Sequence, residues 1–187
     1  MQGSQMRIST KQKIINAAIT TLAKDSTASL EEIAEVAGVG RATIYRHFES
    51  RSHLIREMLL QAGTKMSSSV EPIIQGKASA RDKLRQMVTI LIPLGAGLHF
   101  VVYEPLQPKD QDLERGHQEF SDQIMELCKA LKAEGGVTLD IPDVWVVTCL
   151  ERLIFLAWEN IQRGDIAPNQ AAELVIRTFF SGLGNGP

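Results

Sequence analysis

The chain has 187 residues, of which 44% are apolar and 22% charged, with a formal net charge of −2. That length allows one large domain, or a small one joined to a medium one, and the apolar fraction supports a real core. The near-neutral balance excludes indiscriminate nucleic-acid binding by the chain as a whole, two cysteines exclude a disulfide framework, and no apolar run approaches the roughly 20 residues of a membrane span. No signal peptide is visible, so a cytoplasmic protein with no membrane association is expected.

In chain order, residues 1–8 carry Gly, Ser and Gln without periodicity and read as a disordered arm. Ser9 or Thr10 is placed to cap a first helix running through Lys24, with Ile15, Ala18 and Leu22 on its apolar side and Ile14 and Ile19 beside them. A second helix starts after Ser29. Leu30, Ile33, Ala34 and Ala37 fall at helical spacing, and Gly38 stops the helix where a left-handed residue is cheap only for glycine. Val39 plugs the turn. A third helix runs from Arg41 to Phe48, with Ile44 and Phe48 facing back onto the second. Ala34 is small where two steeply crossing helices need close approach. This is the helix-turn-helix pattern, and the first helix should complete a three-helix domain.

The third helix leaves Arg41, Thr43, Tyr45, Arg46 and His47 off its packed side. Arg41 sits at the end that such helices push toward base edges, where an arginine can bond guanine O6 and N7 together. Tyr45, His47 and Arg51 can donate to phosphates, which fix register without reading sequence. Charge distribution agrees. Residues 1–66 hold nine Lys/Arg against six Asp/Glu, net +3, while residues 67–187 hold eleven against sixteen, net −5. Exposed basic helix faces are common in proteins that bind no DNA. The joint occurrence of cap, small residue, glycine turn, apolar plug and polar helix is what favours a DNA reader.

The run AGVGRATIYRHFESRSHLI resembles the DNA-binding signature of the tetracycline-repressor (TetR) family, and the resemblance extends from Ile14 to Met58. Carried over position by position, it implies DNA contacts at Ser29, Arg41, Ala42, Thr43, Tyr45, His47 and Arg51. Arg46 joins them from the face reading alone. Two features depart from the family pattern. Gly40 stands where a serine or longer polar residue is usual, and the link Asp25–Ala28 lacks the Gly–aromatic pair often found there.

Farther along, Ser50 is placed to cap a fourth helix with Ile55, Leu59, Ala62 and Met66 as its stripe. The polar stretch from Ser67 to Gly76, interrupted by Pro72, is expected to end it. The boundary between residues 8–66 and residues 67–187 is placed there. Ser79 and Asp82 resemble a capping box for a helix bearing Leu84, Met87, Val88 and Leu91, which Pro93 ends or kinks. Leu94–Pro108 is apolar but broken by glycines and prolines, so it reads as irregular and movable. A helix over 110–133 carries Leu113, His117, Phe120, Ile124, Leu127 and Leu131. Two more follow, over 142–163 and 168–183, both apolar around most of their circumference. Such helices need cover on more than one side, either from the rest of the chain or from a second copy. The family resemblance favours the second copy, since it implies that the final two helices pair into a four-helix bundle.

The predicted fold class is therefore all-α: an N-terminal three-helix helix-turn-helix DNA-binding domain followed by a larger helical ligand-binding and dimerisation domain. The resemblance implies a homodimeric repressor of a palindromic double-stranded DNA operator, released by a small-molecule effector. Residues suited to an effector pocket are His99, Phe100, Tyr103, His117, Phe120, Ile124, Met125, Cys128 and Trp158. Each taken singly reads as plain core before it reads as a ligand contact, and a histidine there can be satisfied by a backbone carbonyl. Cys128 and Cys149 read as buried free thiols. No H-E-x-x-H, G-x-S-x-G, P-loop or metal-spaced cysteine set occurs, so neither catalysis, metal nor cofactor is expected. The competing readings are a helix-turn-helix turned to protein interaction, and a constitutive DNA binder without effector.

Overall fold

Ser9 opens the first helix, α1 (Thr10–Lys24), by accepting a hydrogen bond from Gln12 N at 3.1 Å. The computed structural model describes residues 8–95 and 110–183. Helix α1 buries Ile14, Ile15, Ala17, Ala18 and Leu22 along one side. The short link that follows is closed by Asp25, whose carboxylate takes the Thr27 N–H at 2.9 Å and the Thr27 hydroxyl at 2.7 Å. An Asx turn thus does the work of the missing Gly–aromatic pair.

Helix α2 (Leu30–Ala37) starts on a complete capping box, Ser29 with Glu32, and stops at Gly38, whose φ of +66° favours glycine. Helix α3 (Arg41–His47) follows after two residues. Ile44 and Phe48 are fully buried against Ile33, Ala34 and α1. These contacts fix the angle at which α3 stands out from the domain.

Helix α4 (Arg51–Gln75) is 25 residues long, which spans about 37 Å at ~1.5 Å per residue. Ser50 caps it through His53 N at 3.1 Å. It runs through the polar stretch expected to end it, because Pro72 lies in the last turn and removes only one backbone donor there. Its buried side also differs from the expected stripe. Leu54, Ile55 and Met58 enter the first core and Val70 the second, while Leu59 and Met66 are only half-buried. One rigid helix therefore contributes to both cores.

The second core is built by α5 (Ala80–Gly95), α6 (Gln111–Ala133), α7 (Asp143–Arg163) and α8 (Pro168–Leu183). Ser79 caps α5 through Asp82 N at 3.1 Å, and the Glu134 carboxylate accepts the Ala80 N–H at 2.9 and 3.0 Å. Pro93 does not end α5, which continues to Gly95. Asp110 caps α6 by accepting from Asp112 N and Leu113 N, both at 3.2 Å. Most of the expected irregular segment, 96–109, lies outside the described residues. The described residues contain α-helices and no strand, as the fold-class reading required.

The last two helices differ from each other in a way the sequence did not suggest. Helix α8 lies against α5 and α7, which cover Ala171, Val175, Ile176, Phe179 and Phe180, leaving Glu173, Arg177 and Thr178 outside. Helix α7 buries Val146, Val147, Leu150, Ile154 and Trp158, yet leaves Val144, Trp145 and Leu156 more than half exposed. The uncovered apolar surface is concentrated on α7.

Candidate nucleic-acid interface

Helices α2 and α3 pack on each other within the first core, and α3 presents a polar, exposed side. Arg41 is at the first position of α3 with its side chain 76% exposed. Ala42, Tyr45 and Arg46 are also exposed, with Thr43 and His47 half-buried on the flanks. Helical spacing puts Arg41 and Tyr45 on one side of α3, one turn apart. The Arg41 guanidinium lies 5.7 Å from the centre of the Tyr45 ring.

Three features were not visible in the sequence. The first is Glu31, on α2. Its Oε1 accepts the Tyr45 hydroxyl at 2.8 Å and meets Arg41 Nη2 at 3.2 Å. The Tyr45 hydrogen bond is the main reason that the Glu31 carboxyl is held below the usual range, and it raises the Tyr45 phenol in turn. No local periodicity links positions 14 apart, so only the α2–α3 crossing reveals the contact. Gly40 stands at the N-cap of α3, where no side-chain capping hydrogen bond is made.

The second is the orientation of Arg51. Its Nε donates to the Ala28 carbonyl at 3.1 Å and its Nη2 to the Ser26 carbonyl. The guanidinium ties the start of α4 to the α1–α2 link, using donors that the sequence reading gave to phosphate. Ser29 is similarly engaged: its hydroxyl donates to Glu32 Oε2 at 2.7 Å and accepts from Glu32 N at 3.3 Å.

The third is a charged fork between the two cores. Arg56 of α4 donates through Nε and Nη2 to Asp110, and through Nη2 to Asp112 at 2.7 Å. Beside it, Lys11 of α1 bonds Glu57 at 2.6 Å. The chain of contacts runs α1–α4–α6. The Arg56 hydrogen bond is the largest influence on Asp110, holding its carboxyl below the usual aspartate value. A depressed folded value means that the pairing contributes fully above the unfolded aspartate value and is lost only as pH falls through the lower folded one. The fork is therefore closed throughout the neutral range.

The residues suggested for an effector pocket are scattered by the fold. His99, Phe100 and Tyr103 lie outside the described residues. His117 is exposed rather than part of the buried side of α6, because no residue of that helix before Ile124 is fully buried. Phe120 and Met125 pack half-buried against the second core, and Ile124 and Cys128 are within it. Burial pushes the Cys128 thiol up to about 12, so it stays protonated; Cys149 is partly exposed rather than buried. Trp158 is 2% exposed, and its indole N–H already donates to the Ile92 carbonyl at 2.8 Å. Gln123 was not anticipated: its Oε1 is buried on α6 with no hydrogen-bond partner among the described residues. No three His, Cys, Asp or Glu side chains among the described residues converge as a metal site would require. No helix among them is long and apolar enough to cross a membrane.

Comparison with known proteins points the same way as this geometry. Residues 14–58 match the family model described as bacterial regulatory proteins, tetR family. Over 180 residues the chain is 26% identical to the HTH-type transcriptional repressor LfrR of Mycolicibacterium smegmatis, covering 96% of this chain and 93% of that protein. The crystal structure of LfrR with proflavine superposes with a TM-score of 0.78 over 94% of this chain and 97% of the other. The probable acrEF/envCD operon repressor of Escherichia coli is 31% identical over 63% of this chain, which spans 52% of that repressor. The ketosteroid transcriptional regulator KstR2 of Mycobacterium tuberculosis, at 13% identity and a TM-score of 0.80 over 98% of this chain and 100% of that one, shares the fold.

Proposed function

Since the chain belongs to the tetR family of bacterial regulatory proteins and is a DNA-binding transcriptional regulator, we propose that it is a cytoplasmic homodimeric repressor of a palindromic operator, released by a small-molecule effector. Residues 8–66 read the DNA, and residues 67–187 bind the effector and the second copy. The observation that carries the reading is the exposure of Arg41 and Tyr45 on one side of α3 while Ile44 and Phe48 anchor its other side in the core. The dimer reading draws on α7. Val144, Trp145 and Leu156 are exposed by 65%, 59% and 53%, and burying apolar surface of this kind is favourable by about 25 cal/mol per Å². In the proposed dimer, α7 and α8 pair about a twofold axis, and the two α3 helices would read two half-sites of one operator.

The test is selection of bound fragments from the source genome. The expected result is an inverted repeat whose half-sites are separated by about one helical turn, ~34–36 Å, or somewhat more. Arg41→Ala should cost about 1–3 kcal/mol and remove preference at one base pair of each half-site. A consensus without dyad symmetry would refute the dimer. An unchanged consensus with Arg41→Ala would refute the recognition helix.

For the effector, Gln123 offers a buried acceptor beside the apolar Phe120, Ile124 and Met125 of α6. The relative LfrR is seen with proflavine, which makes aromatic compounds the first class to try. We place the coupling at the Arg56 fork, because Asp110 caps α6 while Arg56 belongs to the helix that enters the DNA-binding core. An effector that moves the start of α6 then pulls on α4. Operator DNA and effector should each weaken the other by the same factor, typically about 5–150-fold. Proflavine titrated with and without operator, after subtracting the dye's own intercalation measured on operator duplex alone, gives that factor, and Arg56→Gln should bring it toward one. An unchanged factor in Arg56→Gln would place the coupling elsewhere.

A further inference from the structure

Glu31 is an anomaly on a surface built for a polyanion. It projects from the first turn of α2 beside the recognition helix and presents a carboxylate, held charged, where phosphates would approach. Two donors converge on one of its oxygens. The Tyr45 hydroxyl reaches Oε1 at 2.8 Å and Arg41 Nη2 at 3.2 Å, and the guanidinium in turn lies 5.7 Å from the Tyr45 ring centre. Glu31, Arg41 and Tyr45 thus form a closed triangle bridging α2 and α3, with each corner touching the other two.

We propose that Glu31 is a specificity-determining positioning residue, which holds Arg41 oriented for a base edge and withholds Tyr45 from indiscriminate phosphate contact. The inference rests on the reading of α3 as the recognition helix. Its physical content is a difference between the two partners. Arginine has five N–H donors in a fixed fork, so one can stay on Glu31 while a free edge remains for the bidentate contact with guanine. Tyrosine has a single hydroxyl proton, and that proton is already donated to Glu31. A phosphate must therefore compete with a carboxylate for Tyr45, whereas a base need not compete for Arg41.

The two consequences fall unequally on different DNA. Repulsion between the Glu31 carboxylate and phosphates is independent of sequence and weakens all binding alike. Orientation of a long, rotamer-rich arginine helps only where a matching base edge is present. A uniform cost with a selective gain raises the ratio of operator to random binding, which is the quantity that matters among many competing sites. Sequence alone cannot show this, since an acidic residue in the first turn of a helix is common for dipole reasons.

The experiment compares wild type, Glu31→Gln, Glu31→Ala and Arg41→Ala on the selected operator duplex and a random duplex of equal length, across a salt series. With Glu31→Ala, random binding should tighten while operator binding weakens or stays level, lowering the ratio about tenfold. The salt slope on random DNA should steepen by about one phosphate equivalent. Glu31→Gln keeps an acceptor for both donors and should recover part of the ratio but not the charge effect. In the Arg41→Ala background, Glu31→Ala should change base preference no further. Equal shifts for operator and random DNA, or none, would overturn the proposal and leave Glu31 as a simple surface charge. If Arg41→Ala itself retained the full ratio, the recognition-helix reading would fall first. Glu31 is exposed and outside both cores, and unchanged melting temperatures across the five proteins would exclude misfolding as the cause.

Discussion

Phe48→Ala should abolish operator binding while leaving the second core folded. Phe48 is fully buried, with the His53 ring edge-on at 5.8 Å and the Lys11 ammonium 5.9 Å from its centre. The core around it includes four alanines, so few large side chains hold α3 in place. Truncating a buried phenylalanine costs about 3–5 kcal/mol, and a core of this size supplies about the same amount in total. The optical readout follows from the sequence. Both tryptophans, Trp145 and Trp158, lie on α7, so fluorescence reports the second core alone, whereas far-UV circular dichroism reports every helix. The variant should lose helix at temperatures where tryptophan emission is still native, and bind no DNA there. Wild-type affinity with a single unshifted transition would show that Phe48 is dispensable for presenting α3.

The parts of this fold that were legible are those governed by short-range chemistry. Ser9, Ser29, Ser50 and Ser79 cap the helices that their spacing suggested, and Gly38 takes the left-handed conformation that its position requires. The extent of α4 was not legible, because Pro72 is a breaker only where a helix is otherwise free to stop. Here Val70 is anchored in the second core just ahead of it. The residue types of the candidate site can be read from the sequence, whereas the bonds its side chains make within the free chain cannot. Arg51 at the start of a helix reads as a phosphate donor, yet the Asp25–Ala28 link leaves carbonyls at Ser26 and Ala28 within its reach. Glu31 and Arg56 acquire their partners across 14 and 54 positions of sequence, and no periodicity carries that information. The same limit explains α8. Its apolar residues suggested a need for cover on more than one side, and α5 and α7 together cover Ala171, Val175, Ile176, Phe179 and Phe180.

Trp158→Ala should lower the melting temperature sharply, whatever its effect on effector binding. The indole is sandwiched between α5 and its own helix. An added Cβ at Gly95 would stand 1.5 Å from the ring, so the ring rests directly on the α5 backbone, and Phe155 meets it edge-on with 4.9 Å between centres. Its N–H also satisfies the Ile92 carbonyl next to Pro93. Removing this side chain costs about 3–5 kcal/mol, which for a chain of this size corresponds to roughly 6–20 °C in melting temperature. Gly95→Ala attacks the same contact from the other side. The ring must move away and loses its bond to Ile92, an overpacking effect of about 1–3 kcal/mol or more. The two substitutions should be far from additive, because each relieves or removes what the other strains. A residue whose main duty was to line an effector pocket would behave oppositely. Its truncation would leave the melting temperature of the free protein nearly unchanged and remove only the increase caused by proflavine. Circular dichroism on the free variants, followed by the same scan with proflavine, separates the two duties. An unshifted melting temperature in Trp158→Ala would return Trp158 to the pocket wall.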